Sequence, residues 1–130
     1  MCLMVKRGCH PEIAQEDITC WKTVNMLGND KWEAPVRCTR HNCDEVLTAC
    51  DKLRVESFYT GSRILNYIIE VGFHGYTNID DAKNKVNIFK TRTLVKCTIP
   101  AGAEYCLGIH NEIVANKMIV HKPKYEKDAQ

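Results

Sequence analysis

The sequence predicts an α+β domain: a mainly antiparallel sheet with one clear helix packed on it. Three observations lead there. Several segments alternate apolar and polar side chains with the two-residue period of a half-buried strand. One segment, 79–89, carries apolar residues at helical spacing behind a capping residue. The 130 residues, 45% apolar and 26% charged, suit one domain that needs no disulfide or metal to make up for a small core. There is no internal repeat and no linker rich in Gly, Pro and Ser. Residues 1–122 therefore read as a single domain and the mostly polar 123–130 as a tail.

The elements follow in chain order. Residues 17–24 form the first strand, with Ile18, Cys20, Lys22 and Val24 on one face and Thr19, Trp21 and Thr23 on the other. Gly28-Asn29-Asp30 is a turn. Residues 31–38 are extended, and Pro35 makes them a poor central strand. Over 42–53, Val46, Leu47, Cys50 and Leu53 fall at helical spacing, and Asn42 with Glu45 resembles a capping pair, so a short helix is expected. Residues 63–71 read as a central strand, because Leu65, Tyr67, Ile69 and Val71 on one face and Ile64 and Ile68 on the other leave neither face polar. Gly72-Phe73-His74-Gly75-Tyr76 ends it.

Thr77 or Asn78 then caps the helix, and Asp80 and Asp81 sit at the positive end of its dipole. Ile79, Ala82, Val86 and Phe89 form its apolar stripe, with Asp80, Lys83, Lys85 and Lys90 away from it. The stripe is expected against the face carrying Val95, Cys97 and Ile99 of a strand at 94–99. Pro100-Ala101-Gly102 stops that strand. Residues 104–107 are extended, 108–111 turn, and 113–120 make the last strand.

Charge and compartment narrow the partners. Lys and Arg number 18 against 16 Asp and Glu, a net charge of +2, too small to imply nucleic acid or a membrane surface. The cations are scattered and the aromatics do not interleave with them, so nucleic acid is not expected. No apolar run approaches the ~18–20 residues of a membrane helix. The first five residues are apolar but meet Lys6-Arg7 at once, which does not make a secretory signal. The expectation is a cytoplasmic protein, and its 8 cysteines are then free thiols acting as small apolar side chains. The alternative for Cys38, His41, Cys43 and Cys50 is a small zinc site, although no Cys-x-x-Cys pair is present.

His74 is the foremost candidate for a binding residue. It lies between Gly72 and Gly75, which let backbone approach a ligand closely, and an imidazole near neutrality binds phosphate or moves a proton. Tyr76, Glu104 and Tyr105 complete the candidate set. The plainer reading is a sharp turn whose histidine bonds backbone. Asp80 and Asp81 oppose an anion at the helix N-terminus. Phosphate-loop, dinucleotide and metalloprotease motifs are absent from the sequence, and no cofactor is expected.

Met1-Cys2-Leu3, Ile13-Ala14-x-Glu16-Asp17-Ile18-x-Cys20-x-Lys22, Gly72-Phe73-His74-x-Tyr76 with Asp81-Ala82, and Lys96-Cys97-x-Ile99-Pro100-x-Gly102-x-x-Tyr105-x-x-Gly108 occur in this order. Together they resemble a group of small uncharacterised proteins encoded by gut bacteria and their phages. Ala101 and Ala103 stand where that group often has Lys and Ser or Thr, and residues 38–63 lie outside the resemblance. It implies a phage or mobile-element context in a host bacterial cell and an α+β fold, with no activity to carry over.

The functional expectation is a non-enzymatic accessory protein that binds a host protein or a small molecule, in one version inhibiting a bacterial defence system; a homo-oligomer is compatible with it. The alternative is a nucleotide-processing enzyme of ADP-ribosyltransferase-like type. In it Glu104 or Glu112 would hold a ribose, and His74 or Arg63 a pyrophosphate. The Pro100-Ala101-Gly102 segment that suggests it is also an ordinary β-turn sequence.

Overall fold

The computed structural model describes residues 3–6, 8–28, 30–34, 39–59, 61, 65–88 and 92–123. In chain order the strands are β1 (Leu3–Val5), β2 (Glu12–Ile13), β3 (Ile18–Met26), β4 (Lys31–Glu33), β5 (Arg40–Asn42), β6 (Val46–Thr48), β7 (Glu56–Tyr59), β8 (Leu65–Ile69) and β9 (Phe73–Tyr76). The helix α1 (Ile79–Ile88) comes next, then β10 (Thr93–Ile99), β11 (Glu104–Leu107), β12 (Glu112–Ala115) and β13 (Lys117–Val120). All pairings are antiparallel. The fold is α+β in the sense expected, with far more strand than helix. No helix among the described residues is long and apolar enough to cross a membrane.

The large sheet runs β2-β11-β12-β9-β3-β10-β13-β6, with β4 and β5 added beside β3. Its shape follows from one residue. β12 and β13 are separated only by Asn116, yet β9, β3 and β10 stand between them in the sheet. Four flat strand spacings would hold them ~19 Å apart, whereas a single intervening residue reaches ~7 Å. The sheet must therefore roll up until its two sides meet at Asn116. The inward residues of the roll form one core: Cys20 and Val24, Val95, Cys97 and Ile99, Ile113 and Ala115, Met118 and Val120, closed by Trp32 and Cys43.

The expected continuous strand at 113–120 is thus two strands with a bend. Asn116 is buried but fully engaged. Its N–H donates to the Glu104 carbonyl, its side-chain oxygen accepts the Glu104 N–H, its side-chain amide donates to the Asp51 carbonyl, and its own carbonyl accepts from Ala49. A bend that would orphan backbone groups in a buried place is satisfied by one amide side chain.

The smaller sheet, β1-β8-β7, covers the outer face of β11 and β12. Val5, Leu53, Ile69, Cys106 and Val114 make this second core. β8 is central, as expected for an apolar segment, but in this smaller sheet; Val71 falls beyond the strand and is exposed. Arg63 and Ile64 lie outside the described residues, as do Pro35, Phe89 and Lys90. β12 is buried on both faces, Ile113 and Ala115 inside the roll and Val114 against the second sheet.

Three further expectations are corrected. Residues 42–53 are not a helix: β5 and β6 flank a tight turn with Asp44 at φ 61°. The residues that mimic a helical stripe are shared out, Leu47 to the first core and Cys50 and Leu53 to the second, while Val46 is exposed on an edge strand. Residues 72–76 are not the end of a strand, since Phe73–Tyr76 is itself β9, hydrogen-bonded into the large sheet. Finally, α1 forms where expected, with Asn78 Oδ1 accepting the Asp80 N–H at 2.9 Å, and it packs over β3, β9 and β10. However, Ala82, fully buried, is not part of the core that Val95, Cys97 and Ile99 share. The helix covers the other face of the sheet, where Thr23 is buried. Alternation marks two faces on a strand; it does not tell which one a helix covers.

Candidate functional site

The cleft of interest begins where two strands part. β3 and β9 pair only at Trp21 and Tyr76, and they can approach there because residue 75 is glycine. A Cβ on Gly75 would lie 3.1 Å from the Trp21 carbonyl oxygen and 3.3 Å from Cys20 Sγ. Beyond that pair the strands separate and leave a cavity of about 330 Å³. Gly72 to Tyr76 line one side, Lys22 and Thr23 another, and Trp32, Ala34, Thr39 and His41 from the β4–β5 hairpin a third. Thr48 and Ala49 stand at the rim, and Arg92 and Glu112 complete the wall. The size and the mostly apolar lining suit a small organic molecule.

The chemistry of the cleft centres on Lys22. As a residue it is half-buried, but its ammonium turns inward, donates to the His74 carbonyl and lies 5.6 Å from the centre of the Trp32 ring. Burial of the amine pushes its pKa below the ordinary lysine value, and the sulfurs of Cys97 and Cys20 offset this only in part. Among the described residues no carboxylate lies within ion-pair distance of it. Trp32 is 1% exposed, and its indole N–H has no acceptor among the described residues. His41 stacks on Trp32 at 4.6 Å and meets Phe73 edge-on at 5.8 Å, which gives the cleft an aromatic wall. Burial and the nearby Lys22 charge lower the His41 pKa, so its ring is neutral at pH 7 and tolerates the ammonium.

Gly72, His74, Gly75 and Tyr76 of the candidate set line this cleft; Glu104 and Tyr105 do not. The Glu104 carboxylate accepts the Leu53 N–H at 2.8 Å, and the Tyr105 hydroxyl donates to Glu12 at 2.9 Å, which raises the phenol pKa. Both act in the framework. Glu112 pairs with Tyr76, on the face that His74 also occupies. His41, Cys43 and Cys50 are not brought together: His41 joins the aromatic wall, Cys43 the first core and Cys50 the edge of the second. Cys38 lies outside the described residues, and no group of three metal-ligating side chains occurs among the described ones. The segment 100–103 is a turn closed by the Ala103 N–H on the Pro100 carbonyl at 3.1 Å. Cys9, Cys20, Cys43, Cys50, Cys97 and Cys106 are free thiols.

The sequence sets Lys22 on an otherwise apolar strand face. A lysine among Ile18, Cys20 and Val24 was the available signal. Trp32 and His41 carried none, since they reach the cleft only through strand pairing distant in sequence. A second depression of about 590 Å³, lined by Asp51, Lys52, Arg54, Glu56 and Glu70 among others, mixes charges of both signs and lacks an aromatic wall. Comparison of the chain with protein-family models, curated proteins and solved structures returned no match.

Proposed function

We propose that this chain is a non-enzymatic binding protein, an accessory of phage or mobile-element origin, and that it holds a small molecule in the cleft between β3 and β9. The observation that carries the reading is the cleft itself. It is a concave, largely apolar cavity with a few polar groups, Lys22 on β3, His41 on β5 and Thr39 just before β5. The phage context is what the motif resemblance implies. Withdrawing a small molecule from the host cytoplasm is one route by which such a protein would inhibit a defence system, by analogy with its context.

Native mass spectrometry of the chain purified from infected host lysate tests this reading. A small-molecule adduct is expected on the wild type and not on Thr48→Trp, which fills the rim. A chain that arrives empty, or one bound to a host protein with equal yield from both forms, would sink the small-molecule reading.

A further inference from the structure

We infer that the molecule held in this cleft is an organic anion: a carboxylate on a flat apolar body, its oxygens bridging the Lys22 ammonium and the Trp32 indole N–H. The inference rests on the binding reading above and names the ligand class.

Two independent features point the same way. The first is charge. Lys22 is turned into the molecule without a carboxylate partner among the described residues. An ammonium removed from water is costly unless it is paired, and one backbone carbonyl and an aromatic face meet only part of its demand. The groups with charge or titration near it are His41 on β5, Cys20 on β3 and Cys97 on β10; Glu112 and Arg92 also line the cleft. The second feature is the indole. The Trp32 N–H is a donor with no acceptor role to play, and here it is buried and unpaired among the described residues. Native structures rarely leave such a group without a reason.

Both features call for an acceptor, and Lys22 calls for a negative one. The ammonium lies over the indole ring, 5.6 Å from its centre, and a carboxylate has two oxygens to offer, one to each donor, at ordinary distances of ~2.8 Å. The Trp32, His41 and Phe73 rings then face the apolar body. A cation is repelled by Lys22, and a neutral amide leaves its charge uncompensated.

The test is an NMR titration of the full chain with benzoate, benzamide and benzylamine at millimolar concentration. Benzoate is expected to shift the cleft amides and to bind at least ~10-fold more tightly than benzamide. Lys22→Arg keeps that preference. Lys22→Met lowers benzoate to the level of benzamide and leaves benzamide unchanged. Equal binding of benzoate and benzamide, both lost in Thr48→Trp, overturns the anion inference while the cleft reading stands. Preference for benzylamine overturns it too. No shift with any of the three overturns both. The comparison among ligands on the wild type needs no variant to fold.

Discussion

Asn116 and Glu104 hold each other's backbone: the Glu104 N–H donates to the Asn116 side-chain oxygen at 2.9 Å, and the Asn116 N–H to the Glu104 carbonyl at 3.1 Å. This exchange sits where β12 becomes β13 and so locks the closure of the rolled sheet. Glu104 in turn fixes Leu53 through its carboxylate, which ties the closure to the second core.

Asn116→Ala is therefore expected to cost ~1–3 kcal/mol, because it leaves the part-buried Glu104 N–H and Asp51 carbonyl without their side-chain partner. Lys83→Ala, on the exposed side of α1, should cost under about 0.5 kcal/mol. Urea denaturation of the two variants checks the contrast. A small loss for Asn116→Ala would mean that the bend is held by packing.

How much was legible in the sequence depended on how local the determinant was. β3 and β10 follow from alternation, and α1 from Asn78 and its acidic first turn. The bend at Asn116 gave no signal, because β12 is buried on both faces and the run from Ile113 to Val120 looks like one apolar strand. β1, β2, β5 and β6 have two or three residues each, too few for a period to register, and exist through pairing with distant strands. The same holds for the cleft. Gly72 and His74 were visible through glycine chemistry, whereas Trp32 and His41 became site residues only when the β4–β5 hairpin was laid beside β3.

Gly72 has φ +151°, and a Cβ there would come within 2.5 Å of Val114 Cγ2 and 3.1 Å of Leu53 Cδ2. Both of those side chains belong to the second core. Gly72→Ala should therefore destabilise by ~2–4 kcal/mol, overpacking added to backbone strain. Gly61→Ala, with nothing within 4 Å of its Cβ, should change stability by no more than about 0.5 kcal/mol. Thermal unfolding followed by circular dichroism distinguishes them, and equal shifts would remove the packing argument.

The thiols give a graded labelling pattern. Cys9 and Cys50 are half-buried, whereas Cys20, Cys43, Cys97 and Cys106 are buried. Burial, with the hydrogen bond to Cys9 next, pushes the Cys106 thiol up to about 12. At pH 8 its thiolate fraction is roughly one in ten thousand. Alkylation of the native chain followed by mass spectrometry should modify Cys9 and Cys50 first and spare Cys20, Cys97 and Cys106. After denaturation without reductant all cysteines should react; fewer than 6 labelled thiols would show a disulfide among the 6 cysteines that are free among the described residues.

Lys22 makes the stability depend on pH in a direction opposite to that of a paired lysine. Burial lowers its pKa in the folded chain below the ordinary 10.5. Between the lowered value and 10.5 the unfolded chain binds more protons than the folded one, so stability rises with pH across that window. Below the window both states carry the charge, and the folded state bears the full cost of enclosing it. Lys22→Met keeps the side-chain volume and removes the charge. It should be more stable than the wild type at neutral pH by ~1 kcal/mol or more, and the advantage should shrink as pH rises towards about 10. Lys96→Met, exposed on β10, should show neither effect. Urea denaturation of the three proteins along this pH series isolates the Lys22 contribution as the difference between curves, since the other titrating groups are common to all. If Lys22→Met proves less stable at neutral pH and parallels the wild type, the bond to the His74 carbonyl outweighs the cost of burial. The ammonium would then be content where it is, and the cleft would hold no charge that calls for an anionic ligand.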